Sequence, residues 1–586
     1  MQTSRATGPA LPRSRHRRPS FRRRAVAPAR RLALCGALIF PAPILAQAVL
    51  GPGDDASLAR RGALRVTLLS RWTRFDEQYV GAGPGRADGS LTALGAPFTL
   101  DSIGVAQFEN LGPVQTSVRT LAGMPDFSAS LGASLARVRD HAIATPVAVE
   151  LGLTRRITVG VTVPFLTATS SLDLRVNPTG REPTLGFNPT LGSAAALASN
   201  GALLAQFDSA ASQLAQRLTS CAANPSAAGC AAVNAGRAGA LALIADANAF
   251  AAGLGQLYGG RNGSAGAKFV PIAGTVAQAA IEARVAAFRA LYAGYGAGAL
   301  TGTVPLAAQA PFTVQDLQRV LTDSTFGVRA RPLATAVTRG VGDIDLALKI
   351  NLFDSFRDDA KARLTPSGIR WRQSIGGIYR LGTGALDAAD DFTDLPVGDH
   401  QSDVEIQSYT DLLVGAHFWV SLVGRYNVQM ADERVMRITA GPDAPLAAAY
   451  REHTVTRDLG DVLEIAVHPR WVLNEFVALA GRYAYRRKFA DAYAGTFPVS
   501  DLNGQSVTLD AATLGLGTEA REHRFGGSVT YSTVAAFERG RARIPLEISY
   551  LHFQTTRGAL GFVPKLSEDQ VQVRVYGRLF GRWTPP

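Results

Sequence analysis

Between Pro146 and Thr169 the chain reads PVAVELGLTRRITVGVTVPFLTAT, and a period of two runs on both sides of a tight break. Val147, Val149, Leu151 and Leu153 alternate with Ala148, Glu150 and Gly152, while Ile157, Val159, Val161, Val163 and Phe165 alternate with Thr158, Gly160, Thr162 and Pro164. Successive side chains of a strand point to opposite faces, so the pattern predicts two antiparallel strands, each with one apolar face. Each run approaches the ~9–11 residues that a tilted strand needs to cross a bilayer, and its other face is small or polar, as a water-facing lumen requires. This hairpin is therefore expected to be one unit of a transmembrane β-barrel.

Composition agrees with that reading. Glycine is plentiful at 59 residues and charged residues make up only 18%. Beyond the N-terminus the sequence has no continuous apolar run of the ~18 residues expected of a membrane helix. A barrel needs only every second residue to be apolar.

The first 48 residues read as a signal peptide. Met1 to Arg31 holds ten arginines and no acid, Leu32 to Leu45 is apolar apart from its prolines, and Ala46-Gln47-Ala48 is a small-x-small cleavage site. A basic arm that binds nucleic acid would explain the arginines but not the apolar run or the cleavage site. Without those ten arginines the 60 basic side chains become 50 against 47 acidic ones, so most of the formal +13 belongs to the leader. No global charge then points to nucleic acid. Cys221 and Cys230 remain as a pair in CAANPSAAGC, which in an exported protein most simply closes a short loop as a disulfide; two free thiols are the alternative, and no further ligands nearby suggest a metal.

Further strands are expected on both sides of a helical interruption. Residues 49–177 carry the first barrel strands: Leu64, Val66, Leu68 and Trp72 alternate with Arg65, Thr67, Arg71 and Thr73; Leu91 to Leu100 is a weaker candidate; Phe127 to Leu135 alternates with serine and glycine. Phe108 to Leu121 is mixed and suits a short helix. Residues 178–330 form an alanine-rich helical insertion, extracellular or plugging. Its apolar positions recur at helical spacing through Leu203 to Leu218, Leu241 to Leu257 and Ile281 to Tyr292, and Thr313 with Asp316 suits the start of a fourth helix.

Residues 331–586 supply the remaining strands. They start at Ile344, Trp371, Val404, Phe418, Leu463, Val477, Phe525, Ile544 and Val571. If Thr154 to Arg156 is a periplasmic turn, then so are Gly415-Ala416 and Leu473 to Glu475, and the long segments lie outside the cell, which is the barrel rule. Asp354 to Ser367 is long for such a turn. Thirteen strands are legible and an even number is required; accepting Leu91 to Leu100 gives about 14, and discarding the first strand gives the alternative of 12.

Gly340-Val341-Gly342-Asp343-Ile344-Asp345-Leu346 resembles the G-x-G-D-hydrophobic-x-hydrophobic strand opening of many Gram-negative outer-membrane barrels, including the phenol-degradation-associated transporters. The hairpin ELGLTRRITVGVTVPF is similar to a second recurring element of those proteins. The resemblance implies outer-membrane passage of small, often hydrophobic molecules.

The expected lumen face carries Arg65, Arg71, Lys349, Arg372, Arg380, Arg425, Arg470, Arg482, Arg574 and Arg578, against Glu150, Asp345, Asp411 and Glu464. Two readings stand side by side: a basic ring that concentrates anions, or charges that pair across the lumen and hold it shut. The leading function is a channel or uptake barrel for small anionic or hydrophobic molecules, with outer-membrane lipid and the substrate as partners and no cofactor. An adhesion or assembly protein presenting the helices is the alternative. An outer-membrane hydrolase ranks lower, because His453, His468 and His523 come with no recognisable nucleophile and no catalytic residue can be named.

Overall fold

A computed structural model describes residues 55–83, 86–178, 183–302, 305–355, 368–439 and 446–580. The expected leader and most of the long turn before Ser367 lie outside these residues.

Twelve strands build one closed wall: β1 (Ala63–Phe75), β2 (Ser134–Gly152), β3 (Ile157–Val176), β4 (Ile344–Asp354), β5 (Ile369–Leu381), β6 (Asp403–Val414), β7 (Phe418–Gln429), β8 (Val462–Val472), β9 (Val477–Lys488), β10 (Ala520–Ser532), β11 (Leu546–Ala559) and β12 (Ser567–Arg578). Each pairs antiparallel with its sequence neighbours, and β1 closes the ring on β12 through a register that sets Leu64 opposite Gly577 and Arg74 opposite Ser567. Closure leaves no sheet edge exposed. A short extra strand, Ala336–Val341, pairs with the upper part of β3 just before the chain enters β4.

The expected count of 14 is corrected to 12, and the first strand belongs to the wall. Leu91 to Leu100 holds a four-residue strand, Ser90–Ala93, and a short 3-10 turn, neither long enough to cross. Phe127 to Leu135 is not a strand of its own; most of it is irregular chain leading into β2. Its alternation has a different cause, since Phe127, Ala129 and Leu131 are buried in the core of the helical insertion.

Alternation elsewhere does what a wall in lipid needs. On β4 the adjacent residues Leu348 and Lys349 are 42% and 0% exposed. Outward-facing Leu68, Ile375, Leu422, Ile465 and Val529 continue the apolar face around the ring. Aromatic side chains collect near its lower rim, where Trp471 is exposed, Phe353 packs against Trp371 at 4.8 Å and Phe476 stacks on Tyr531 at 6.0 Å. Such girdles mark the interfaces of membrane barrels.

The two ends differ. Residues 153–156, 415–417 and 473–476 make tight turns at one end, and a positive φ of 62° at Gly415 suits that residue to the sharpest of them. At the other end residues 382–402, 430–461 and 489–519 make long connections, and the helical insertion leaves from the same end.

Five main helices pack there: α1 (Leu111–Ala122), α2 (Ala194–Ala223), α3 (Arg237–Tyr258), α4 (Val276–Gly294) and α5 (Val314–Thr322). The Ser193 hydroxyl caps α2, and Thr313 with Asp316 forms a capping box on α5. Phe207, Phe250 and Phe288 meet within one core that also takes in Leu111 and Val118 of α1 and Ala136 at the top of β2. Cys221 and Cys230 are bonded between α2 and the short helix that follows. The segment Arg237–Gly263 is long and apolar enough to cross a membrane, yet Leu243, Phe250 and Leu254 on it are buried against the other helices.

Candidate functional site: the barrel lumen

The chain enters the barrel as a strap. Asp55 to Arg60 runs inside the wall at the short-turn end before β1 begins. The Lys349 ammonium donates to the Asp55 carbonyl, the Ser374 hydroxyl to the Ala56 carbonyl at 2.7 Å, and the Ala56 amide to the Asp411 carboxylate at 3.1 Å. The Ala59 amide then reaches the Thr158 hydroxyl at 3.1 Å. Three strands therefore hold Asp55 and Ala56, and a fourth holds Ala59. Ala56 is 1% exposed and shares an apolar cluster with Tyr409, Val423, Ala466, Ala484 and Phe553, all inward-facing. Glycine leaves room at the exit: a Cβ on Gly152 would sit 2.1 Å from the Arg60 carbonyl oxygen. Burial alone would push the Asp55 carboxyl up, but Lys349, Arg372 and Arg470 nearby hold it well below the usual carboxylate range.

Inward charges meet partners on adjacent strands. Arg65 makes a bidentate contact with Glu150, with Nη2 at 2.7 Å from Oε1; both residues are buried and directly opposed in register. Arg372 donates to Asp411 at 2.7 Å, and Arg380 bridges Asp345 at 2.9 Å and Asp403 at 3.2 Å. Glu464 lies 3.8 Å from Arg482 and opposite Arg425 in register. Arg574 reaches Glu547 at 3.3 Å, and Arg71 lies 3.8 Å from Glu568. Arg470 and Arg372 both approach the Trp419 ring, each at 5.8 Å from its centroid. Arg578 is exposed at the short-turn end of β12, with its Nε donating to the Phe580 carbonyl at 3.1 Å.

Several inward residues were not among those expected from sequence. Asp403, Glu522, Arg524 and Glu568 are buried and salt-bridged, and strand parity was the signal available for them. The strap carries no periodicity and gave no such signal. Of the histidines, His523 hydrogen-bonds to the Tyr483 hydroxyl at 2.9 Å and His453 stacks on Phe497 at 4.3 Å.

At the long-loop end, residues 382–402 fold back against the wall. Asp343 receives the Gly384 amide at 2.7 Å and the Asp399 amide at 3.1 Å, while Val397 packs on Ala144 and Leu166. Gly384 and Gly398 cross so closely that a Cβ on either would meet the other's Cα within 2.6 Å. Burial, reinforced by the Asp343 charge, pushes the Asp399 carboxyl up to about 6.

A ring without edges satisfies its own backbone strand to strand, which lets it sit in lipid, and an outside that is apolar around an ionic inside is the arrangement lipid calls for. The chain is a transmembrane β-barrel. Barrels of this build belong to the outer membrane of Gram-negative bacteria. No protein-family model and no curated protein matches the sequence. Among solved structures, the COG4313 outer membrane channel from Pseudomonas putida F1 is similar over 90% of this chain and 100% of its own, at 9% identity and a TM-score of 0.38. The CymD monoaromatic hydrocarbon channel covers 94% and 93% of the two chains at 9% identity and a TM-score of 0.24. The P. putida toluene transporter TodX covers 94% and 95% at 12% identity and 0.21. These likenesses are low, and the barrel assignment rests on the geometry above.

Proposed function

We propose that the protein is an outer-membrane uptake channel for small molecules, closed at its periplasmic end by the strap from Asp55 to Arg60. The observation that carries this reading is the strap itself, which lies within the lumen and is bonded to Asp411, Ser374, Lys349 and Thr158. The short-turn end is then periplasmic, the leader 1–48 directs export, and the insertion 178–330 lies outside the cell.

Paired charges weaken the idea of a basic ring that attracts anions. Arg65, Arg372, Arg380 and Arg574 each have a carboxylate within 3.3 Å, so their fields are largely cancelled at short range. The same lumen holds apolar and aromatic side chains: Trp419, and Tyr409 and Phe553, which are buried in the cluster with Ala56 and would meet a solute once the strap moves. A small hydrophobic or amphiphilic substrate fits that lining better than a carboxylate does.

Planar-bilayer recordings of the intact protein and of a form lacking residues 55–60 test the reading. Conductance is expected to rise several-fold on deletion, with little selectivity under anion and cation gradients. Gly152→Val, which crowds the strap without removing it, should move conductance in the same direction. Equal conductance in all three forms defeats the proposal.

A further inference from the structure

At the long-loop end of the lumen, buried oxygen acceptors outnumber the groups available to satisfy them. Asp403 on β6 stands opposite Gln429 on β7, and Glu405 opposite Asn427; in the connecting loop Gln401 donates its side-chain amide to the Met430 carbonyl next to Gln429, and its backbone amide to Asp399 Oδ1 at 3.1 Å. Asp403 is 0% exposed, Gln401 1%, Asp399 3%, and Asn427 and Gln429 4% each. The amide nitrogens are committed: Gln401 to the Met430 carbonyl, Gln429 to the Gly460 carbonyl at 2.9 Å, and Asn427 to Asp403 Oδ2 at 3.3 Å. These bonds fix which end of each amide is oxygen. All three amide oxygens, together with Asp399 Oδ2 and Asp403 Oδ1, then have no hydrogen-bond partner among the described residues.

Charge is out of balance in the same place. Asp343, Asp345, Asp399 and Asp403 are all buried. Arg380 answers Asp345 and Asp403, while Arg457, whose Nη2 donates to the Asp399 carbonyl at 2.8 Å, is already bidentate on Asp432. A buried carboxylate oxygen left unpaired is strongly unfavourable, and so is an amide oxygen with no donor. A hard cation relieves both at once. Two carboxylates and three amide oxygens, with no sulfur or imidazole, make a ligand set of the kind calcium takes, and calcium accepts irregular oxygen geometry.

We infer that Asp399, Gln401, Asp403, Asn427 and Gln429 form a calcium site that ties the 382–402 connection to β6 and β7. The loop supplies two of the ligands and the wall three, so the ion fixes the folded-back position of the loop over the lumen. The inference does not depend on transport.

Calorimetric titration of calcium chloride into chelator-stripped protein in detergent tests it. One calcium per chain is expected, weakened at least tenfold by Asp399→Asn and by Asp403→Asn, and several-fold by the uncharged change Gln429→Leu. Asp208→Asn, at an exposed pair on α2, should bind as the parent does. Heat-modifiable migration on a gel shows which variants are folded. A stripped parent protein that takes up no calcium overturns the inference, as does equal binding by the parent and every folded variant; a cluster neutralised by protons instead would give the first of these results.

Discussion

Asp411 accepts the backbone amide of Ala56 at 3.1 Å, joining two residues 355 positions apart in the chain. The same carboxylate takes Arg372 at 2.7 Å and the Ser421 hydroxyl at 2.7 Å, so one fully buried side chain links the strap to β5, β6 and β7. Asp411→Ala removes all of these bonds. Breaking a buried ion pair by deleting one partner costs about 3–5 kcal/mol, because the remaining charge stays desolvated. The variant should unfold at lower urea in lipid vesicles and show a several-fold higher conductance, whereas loss of stability with unchanged conductance would mean that Asp411 does not restrain the strap.

Arg65 and Glu150 face each other across β1 and β2 with both side chains buried. Glu150→Gln leaves the guanidinium without its counter-charge and is expected to destabilise the barrel by about 3–5 kcal/mol. Replacing both residues by methionine removes the uncompensated charge, so the double variant should be more stable than the single one. Equilibrium unfolding followed by tryptophan fluorescence measures the difference. A double variant no better than Glu150→Gln would show that the pair is not the source of the effect.

The wall was legible because lipid imposes one rule on every strand. Ile344 to Leu352 could be read at once, since outward Leu346, Leu348 and Leu352 meet hydrocarbon while inward Asp345 and Lys349 meet other charges. The rule fails beyond the bilayer. In the upper half of β2 Arg137, Arg139 and His141 point outward and Val138 and Ala142 inward, so the apolar phase is inverted and the strand is easily cut short. Phe127 to Leu131 shows the converse error, where helices rather than lipid bury every second residue. The insertion's helices were visible from their spacing and caps. The strap was not, because most of its bonds use backbone atoms, which leave no mark on the sequence.

Cys221 and Cys230 close a loop between α2 and the short helix at Cys230–Ala235, far from the strands in sequence. Constraining a loop of about ten residues is worth roughly 2–3 kcal/mol in the chain-entropy account. Replacing both cysteines by serine should therefore expose the α2–α3 connection to protease while the barrel keeps its heat-modifiable migration. Limited proteolysis followed by mass spectrometry would locate the cuts. Simultaneous loss of the folded barrel band would show that insertion and wall fold as one cooperative unit.

Leu348 and Lys349 give the sharpest test of the architecture, because neighbours in sequence face opposite media. Arginine on the lipid face of a barrel costs about 2–4 kcal/mol near the bilayer midplane and little near its edges. Leu348 lies well inside β4, opposite Val159 on β3 and Gly377 on β5. Leu348→Arg should therefore lower the folded fraction in vesicles by an amount set by its depth, while Leu348→Phe should be nearly neutral. Val337→Arg, on the short strand above β4, is the matched control and should cost much less if that strand clears the hydrocarbon. Equal penalties at the two positions would place the short strand in hydrocarbon as well; no penalty at Leu348 would mean that the outer face does not meet lipid, and the membrane assignment would fall with it.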